Sequence, residues 1–119
     1  MSFLTIHLLM SSPRLEKLQA FLSASPDDPF LLFAVAKEYE SLKDTQEALA
    51  YYLAIRAKQP AYVGLYYHLG KLYEQLSQPQ QAWEAYTAGM EVAKLARDQH
   101  ALGELAGARL NLGDEEDFT

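Results

Sequence analysis

The chain has no cysteine. That excludes disulfides, thiolate metal sites and a cysteine nucleophile together, and it suits a reducing compartment. Proline and glycine are scarce, five and six in 119 residues, so few positions interrupt a regular backbone. Basic charge is also in deficit, with ten Lys and Arg against sixteen Asp and Glu and a formal net charge of −6. Four of the acids fall in one run, "DEED" at Asp114 to Asp117, which leaves ten basic against twelve acidic residues elsewhere, a formal −2. Such a body offers no basic footprint to a phosphate backbone, and no nucleic-acid partner is expected.

No apolar run approaches the roughly 18 residues needed to cross a bilayer, and no membrane association is expected. The opening "MSFLTIHLLM" is apolar but short, without a basic flank or a small-residue cleavage site after it. Residues 1–12 are read as an apolar N-terminal arm or, because Met10 stands just before "SSPRLEKL", as a mis-called start. The expected location is cytoplasmic. Catalytic constellations are missing too. His7, His68 and His100 are scattered rather than set at metal-ligand spacing, and no phosphate-binding or nucleophile-elbow glycine motif occurs. The expectation is no enzyme, no metal and no cofactor.

Half of the residues are hydrophobic, with eight Tyr, five Phe and one Trp, which is ample for a single core. The dominant pattern is a repeat of 34 residues. Residues 28–59 set against 62–93 give nine identities: Leu31/Leu65, Lys37/Lys71, Tyr39/Tyr73, Glu40/Glu74, Leu42/Leu76, Gln46/Gln80, Ala48/Ala82, Tyr52/Tyr86 and Ala54/Ala88. Pro26 and Pro60 keep the same spacing. Helix starts are marked by Asp28-Pro29, by Asp44-x-x-Glu47, and by Pro79 with Ser77 or Gln78 as its cap.

The first copy reads Leu32-x₂-Val35-Ala36-x₂-Tyr39, Ala48-x₃-Tyr52, Pro60; the second reads Tyr66-x₂-Leu69-Gly70-x₂-Tyr73, Ala82-x₃-Tyr86, with Lys94 in place of the proline. This resembles the tetratricopeptide repeat family, whose pattern is W-x₂-L-G-x₂-Y, A-x₃-F, P. The resemblance implies an all-α fold, a short solenoid of two helix-turn-helix repeats at about 28–60 and 62–95. Capping helices are expected at 13–25 and 98–112, together making a domain of residues 13–112, with an acidic, solvated tail at 113–119. Gly70 is expected to let its helix approach Ala82 on the partner helix, with Tyr39, Tyr52, Tyr73 and Tyr86 filling the space around such contacts. Arg14 falls at the small-residue position of the N-terminal capping helix. The last helix, capped by Asp98, is expected to bury Ala101, Leu102, Leu105, Ala106 and Leu112.

The resemblance also implies a function. In this family the first helices of the repeats line a concave groove that holds a partner peptide. Carried over, the groove positions are Phe30, Phe33, Lys37, Glu40 and Ser41, then Gly64, Tyr67, Lys71, Glu74 and Gln75. Phe33–Lys37 and Tyr67–Lys71 are i,i+4 pairs that put a ring and an ammonium on one helix face. The bland alternative is that Lys37–Glu40 and Lys71–Glu74 are surface ion pairs worth about 0.2–0.5 kcal/mol. The carboxylate clamp of some family members is not matched, since Phe33, Lys37, His68, Asp98 and Leu102 stand at its positions. A second reading is a homo-oligomer assembled through the end helices or the N-terminal arm.

Overall fold

The computed structural model describes residues 11–119, which form helices with no strand among them. The expected arm and start at residues 1–12 lie outside the described residues except for the last two, as does His7. Seven helices follow in order: α1 (Pro13–Ala24), α2 (Pro29–Ser41), α3 (Thr45–Lys58), α4 (Gly64–Gln75), α5 (Pro79–Ala96), α6 (Gln99–Leu112) and α7 (Glu115–Phe118). They fall into two compact units, one ending at Lys58 and the other beginning at Gln59.

In the first unit α1 packs on α2 and α2 on α3. Ser12 caps α1 by accepting from the Leu15 amide at 3.0 Å, with Pro13 at the first helical position. Asp28 caps α2 by accepting from the Phe30 amide at 2.9 Å, again followed by proline. Asp44 accepts from the Glu47 amide at 3.3 Å at the start of α3. Val35, Ala36, Tyr39, Ala48, Tyr52 and Ile55 form the core of this hairpin. The register of α1 differs from expectation. Arg14 is exposed and pairs with Glu38 at 3.4 Å, while the next residue, Leu15, is the one buried. A guanidinium placed inward would lose its solvation, and rotating the helix by one residue puts a leucine there instead.

In the second unit α4 packs on α5, and α6 packs on both. Leu65, Tyr66, Leu69, Leu72, Ala82, Trp83, Tyr86, Ala93 and Leu105 make its core. The two expected hairpins are therefore α2–α3 and α4–α5, and the helix beginning at Pro79 runs on to Ala96 where the repeat would have placed a proline. Asp98 caps α6 through the Ala101 amide at 3.0 Å. Of the expected inner face of α6 only Leu105 is fully buried, joined by Ala108, which the pattern did not single out. Neither Ser77 nor Gln78 gives a side-chain cap to α5. Ser77 instead adopts the left-handed conformation, φ 59°, as do Lys43 at 64° and Arg97 at 57°. Each ends a helix with the same closing bonds; Asp44, Gln78 and Asp98 amides donate to the carbonyls of Tyr39, Tyr73 and Ala93 at 2.9 Å.

Gly70 proves to serve a different neighbour from the one expected. A Cβ built there would lie 2.1 Å from the Tyr86 ring, so the missing side chain makes room for that ring on the α4 backbone. Gly89 on α5 does the same for Tyr66, whose Cβ would lie at 2.4 Å. The four acids of the tail are exposed, but Phe118 beside them is not left in solvent: α7 folds back so that its ring stacks on Trp83, at 4.6 Å between ring centroids.

Substitutions of glycine by alanine are expected to split in sign. Gly103→Ala, with nothing within 4 Å of the new Cβ, should stabilise by about 1 kcal/mol through helix propensity. Gly70→Ala and Gly89→Ala should destabilise despite that gain, because overpacking costs about 1–3 kcal/mol, and Gly89 should be the worse since Tyr66 Cβ cannot swing away. Urea unfolding midpoints of the three variants check this ordering.

Candidate functional site

The repeated stripe of α2 and α4 is built the same way in both units. In the first, the Tyr52 hydroxyl reaches from α3 and donates to Glu40 Oε2 at 2.5 Å. In the second, the Tyr86 hydroxyl reaches from α5 and donates to Glu74 Oε2. Both tyrosine side chains are wholly buried, so each phenol needs an acceptor, and a carboxylate at the rim of the hairpin supplies it. Lys37 and Lys71 sit 3.7 Å from the same carboxylates. One turn earlier, Phe33 meets the Tyr52 ring edge-on at 5.9 Å, and Tyr67 meets the Tyr86 ring at 6.4 Å.

The four residues ring, lysine, glutamate and tyrosine thus form one bracing unit, and the lysine–glutamate part of the bland reading is present. Glu40 and Glu74 face inward as acceptors as well as outward as charges. Glu40 is the better shielded, with its side chain 18% exposed against 34% for Glu74, so the Tyr52 bond contributes more than its counterpart. Burial, followed by the adjacent carboxylate, pushes the Tyr52 and Tyr86 hydroxyls well above the ordinary tyrosine range. Tyr39 and Tyr51, stacked at 5.6 Å, are raised by burial too, and the Gln19 amide donated to Tyr39 Oη at 3.1 Å partly offsets this at Tyr39. Of the adjacent pairs, Tyr52 and Tyr66 enter the core; Tyr51 packs on Tyr39, and Tyr67 lines a cleft.

That cleft lies between α4 and α6, with a volume of about 250 Å³. Tyr67 and Lys71 stand on one wall, with the lysine ammonium 5.6 Å from the Tyr67 ring centroid. Gly103, Gly107, Glu104, Ala108 and Asn111 form the other wall. The sequence reading did not single out these α6 residues. Their signal was two glycines at i,i+4 in a helix, where each is unfavourable unless something needs the space. Apart from the neighbouring backbone of α6 itself, no atom of the described residues lies within 4 Å of where either Cβ would be. Of the other expected groove residues, Gln75 and Gly64 are exposed on α4, while Phe30, 70% exposed, Lys37 and Ser41 are exposed on α2. No group of three or more metal-ligating side chains occurs among the described residues, and no helix among them is long and apolar enough to cross a membrane.

No protein-family model and no curated protein matches the chain. Solved structures do. A tetratricopeptide repeat domain protein from Salinibacter ruber, determined in solution, is 39% identical with a TM-score of 0.72, covering 79% of this chain and 95% of that one. A crystal structure of a tetratricopeptide repeat domain protein from the same organism is 41% identical with a TM-score of 0.69, covering 71% and 94%. A Bordetella parapertussis protein is 25% identical with a TM-score of 0.74, covering 86% and 89%.

The bracing unit predicts a pH response. Above about pH 10 the unfolded chain's tyrosines ionise while the buried ones keep their protons, so the native state holds more protons and stability falls as pH rises. In a Tyr52→Phe, Tyr86→Phe double variant that decline above pH 10 should be shallower. At pH 7 a Tyr86→Phe, Glu74→Ala double-mutant cycle should give a coupling of about 0.5–1.5 kcal/mol in urea unfolding; zero coupling would remove the hydrogen bond from the account.

Proposed function

Because the chain belongs to the tetratricopeptide repeat family, we propose that it is a protein-interaction module that holds a peptide segment of a partner at the face of α4 bearing Tyr67, Lys71, Glu74 and Gln75, with the face of α2 bearing Phe30, Phe33, Lys37 and Glu40 as the corresponding partner-binding face of the first unit. The family fold generally serves as a non-catalytic interaction scaffold. The observation that carries the finer reading is the cleft between α4 and α6. It combines an aromatic ring, an ammonium and an amide side chain with two glycines that leave the α6 backbone uncovered.

Each part has a task in holding a chain. The Tyr67 ring gives a flat apolar surface for a side chain of the partner. Lys71 keeps a cation near that ring and can meet a carboxylate or a backbone carbonyl. The glycines allow a peptide to approach the helix more closely than any side chain would permit. Glu74 steadies the lysine while remaining tied to Tyr86, so the charge pattern of the wall is fixed before a partner arrives.

Self-association is the second reading. Leu110 on α6 and Phe21 on α1 are large apolar side chains left 70% and 62% exposed on the helices expected to act as end caps. Static light scattering at high concentration separates the two, since a monomeric mass removes the oligomer.

Gly107→Leu tests the cleft without weakening the fold, because leucine is the better helix former and its Cβ meets no other element among the described residues within 4 Å. Peptides selected on the wild-type protein from a random display library should bind Gly107→Leu at least about tenfold more weakly, a difference of 1.4 kcal/mol. Equal binding to both would sink the cleft as the working surface.

A further inference from the structure

Trp83 is the chain's single tryptophan, and it owes its 6% exposure partly to residues from the end of the described chain. The Arg109 guanidinium lies 4.7 Å from its ring centroid, held there by a hydrogen bond donated to Thr87 Oγ1 at 3.0 Å. The Phe118 ring stacks on it at 4.6 Å with planes 10° apart. Gln80 Nε2 donates to the Phe118 carbonyl at 3.1 Å. The side chain, its backbone carbonyl and the tryptophan beneath them therefore meet as a ligand and a site meet.

The chain is built to bring Phe118 there. It reverses at Gly113, φ 152°, where a Cβ would come within 2.7 Å of Asp117 Oδ2 and 3.2 Å of the Phe118 ring. Asp114 and Asp117 then close a capping box, with the Asp114 amide donating to Asp117 Oδ2 at 2.9 Å. The acids make the turn; they do not reach the tryptophan. None of the residues of α7 is buried, and a single helical turn has little stability of its own. What seats it is the ring stack and the Gln80 bond. Beside the ring a cleft of about 410 Å³, walled by Gln80, Glu84, Thr87 and Glu91, stays open along α5.

We propose that the Trp83 face of α5 is a second docking site, taking a partner segment that presents an aromatic side chain on a short acidic helical turn. Residues 114–118 are its resident, displaceable occupant. Recognition rests on the ring stacked on Trp83, whose indole Arg109 also holds in place, and on a carbonyl accepting from Gln80. Glu115 and Glu116 of the resident segment stay exposed, so its acids are not what the site reads. The site uses no residue of the Tyr67–Lys71 cleft, so it stands or falls apart from the function proposed above.

Because Trp83 is the only indole, its emission reads the site directly in the full chain. Phe118→Ala should shift the emission to the red and raise its quenching by acrylamide, with helicity by circular dichroism retained. Gly113→Val, which keeps Phe118 but strains the reversal, should do the same. An N-acetylated peptide of residues 113–119 added to Phe118→Ala should reverse both changes saturably, and the same peptide with alanine for phenylalanine should not. Unchanged emission and quenching in Phe118→Ala would overturn the proposal, as would equal effects of the two peptides. A wild-type mass of two chains that Phe118→Ala returns to one would overturn it in favour of tail exchange between copies.

Discussion

A phenol sealed inside a helical hairpin must find an acceptor, and each hairpin solves this with one glutamate twelve residues earlier. The bond joins the middle of the second helix to the end of the first, so it sets how far one helix may slide along the other. The lysine one turn before the glutamate and the ring one turn before the lysine take their positions from that anchor. In the second hairpin the Tyr86 ring lies so close to α4 that its neighbour has to be Gly70, whereas Ala36 is accommodated at the matching place in the first. Much of the internal repeat is the recurrence of this one constraint.

The local features were readable because they depend on residues near in sequence. Asp28-Pro29, Ser12-Pro13 and Asp98 carry their capping chemistry with them, and the 34-residue spacing of small and aromatic residues marks the hairpins without any knowledge of contacts. What stayed hidden depends on partners far along the chain. Lys43, Ser77 and Arg97 hold a left-handed conformation that glycine would announce, but here closure of the hairpin imposes it on ordinary side chains. Arg14 stood at a small-residue position by alignment, but its charge stays in solvent beside Glu38 and the next residue, Leu15, is buried. The tail's four acids hid the one ring among them, whose anchor is thirty-five residues away.

The groove stripe was legible as a pattern and ambiguous as a function for the same physical reason. A residue that recurs in every repeat answers a need that recurs in every repeat, and that need is internal to the hairpin. Lys37, Glu40, Lys71 and Glu74 fit this description, being bound up with the buried tyrosines. A partner segment, by contrast, need not repeat every 34 residues, so the positions that select it should be those where the copies differ.

Applied to the second unit, that argument directs attention from the repeated charges to the wall opposite them. Gly103 and Gly107 each give up about 1 kcal/mol of helix stability relative to alanine, and no ring or other helix among the described residues occupies the space they leave. Gly70 and Gly89 give up a similar amount, but Tyr86 and Tyr66 fill their space and the packing offsets it. This difference between the two pairs of glycines is what supports the proposal of a partner between α4 and α6. One pair is explained by the chain's own core; the other leaves the α6 backbone open where the proposed partner would approach.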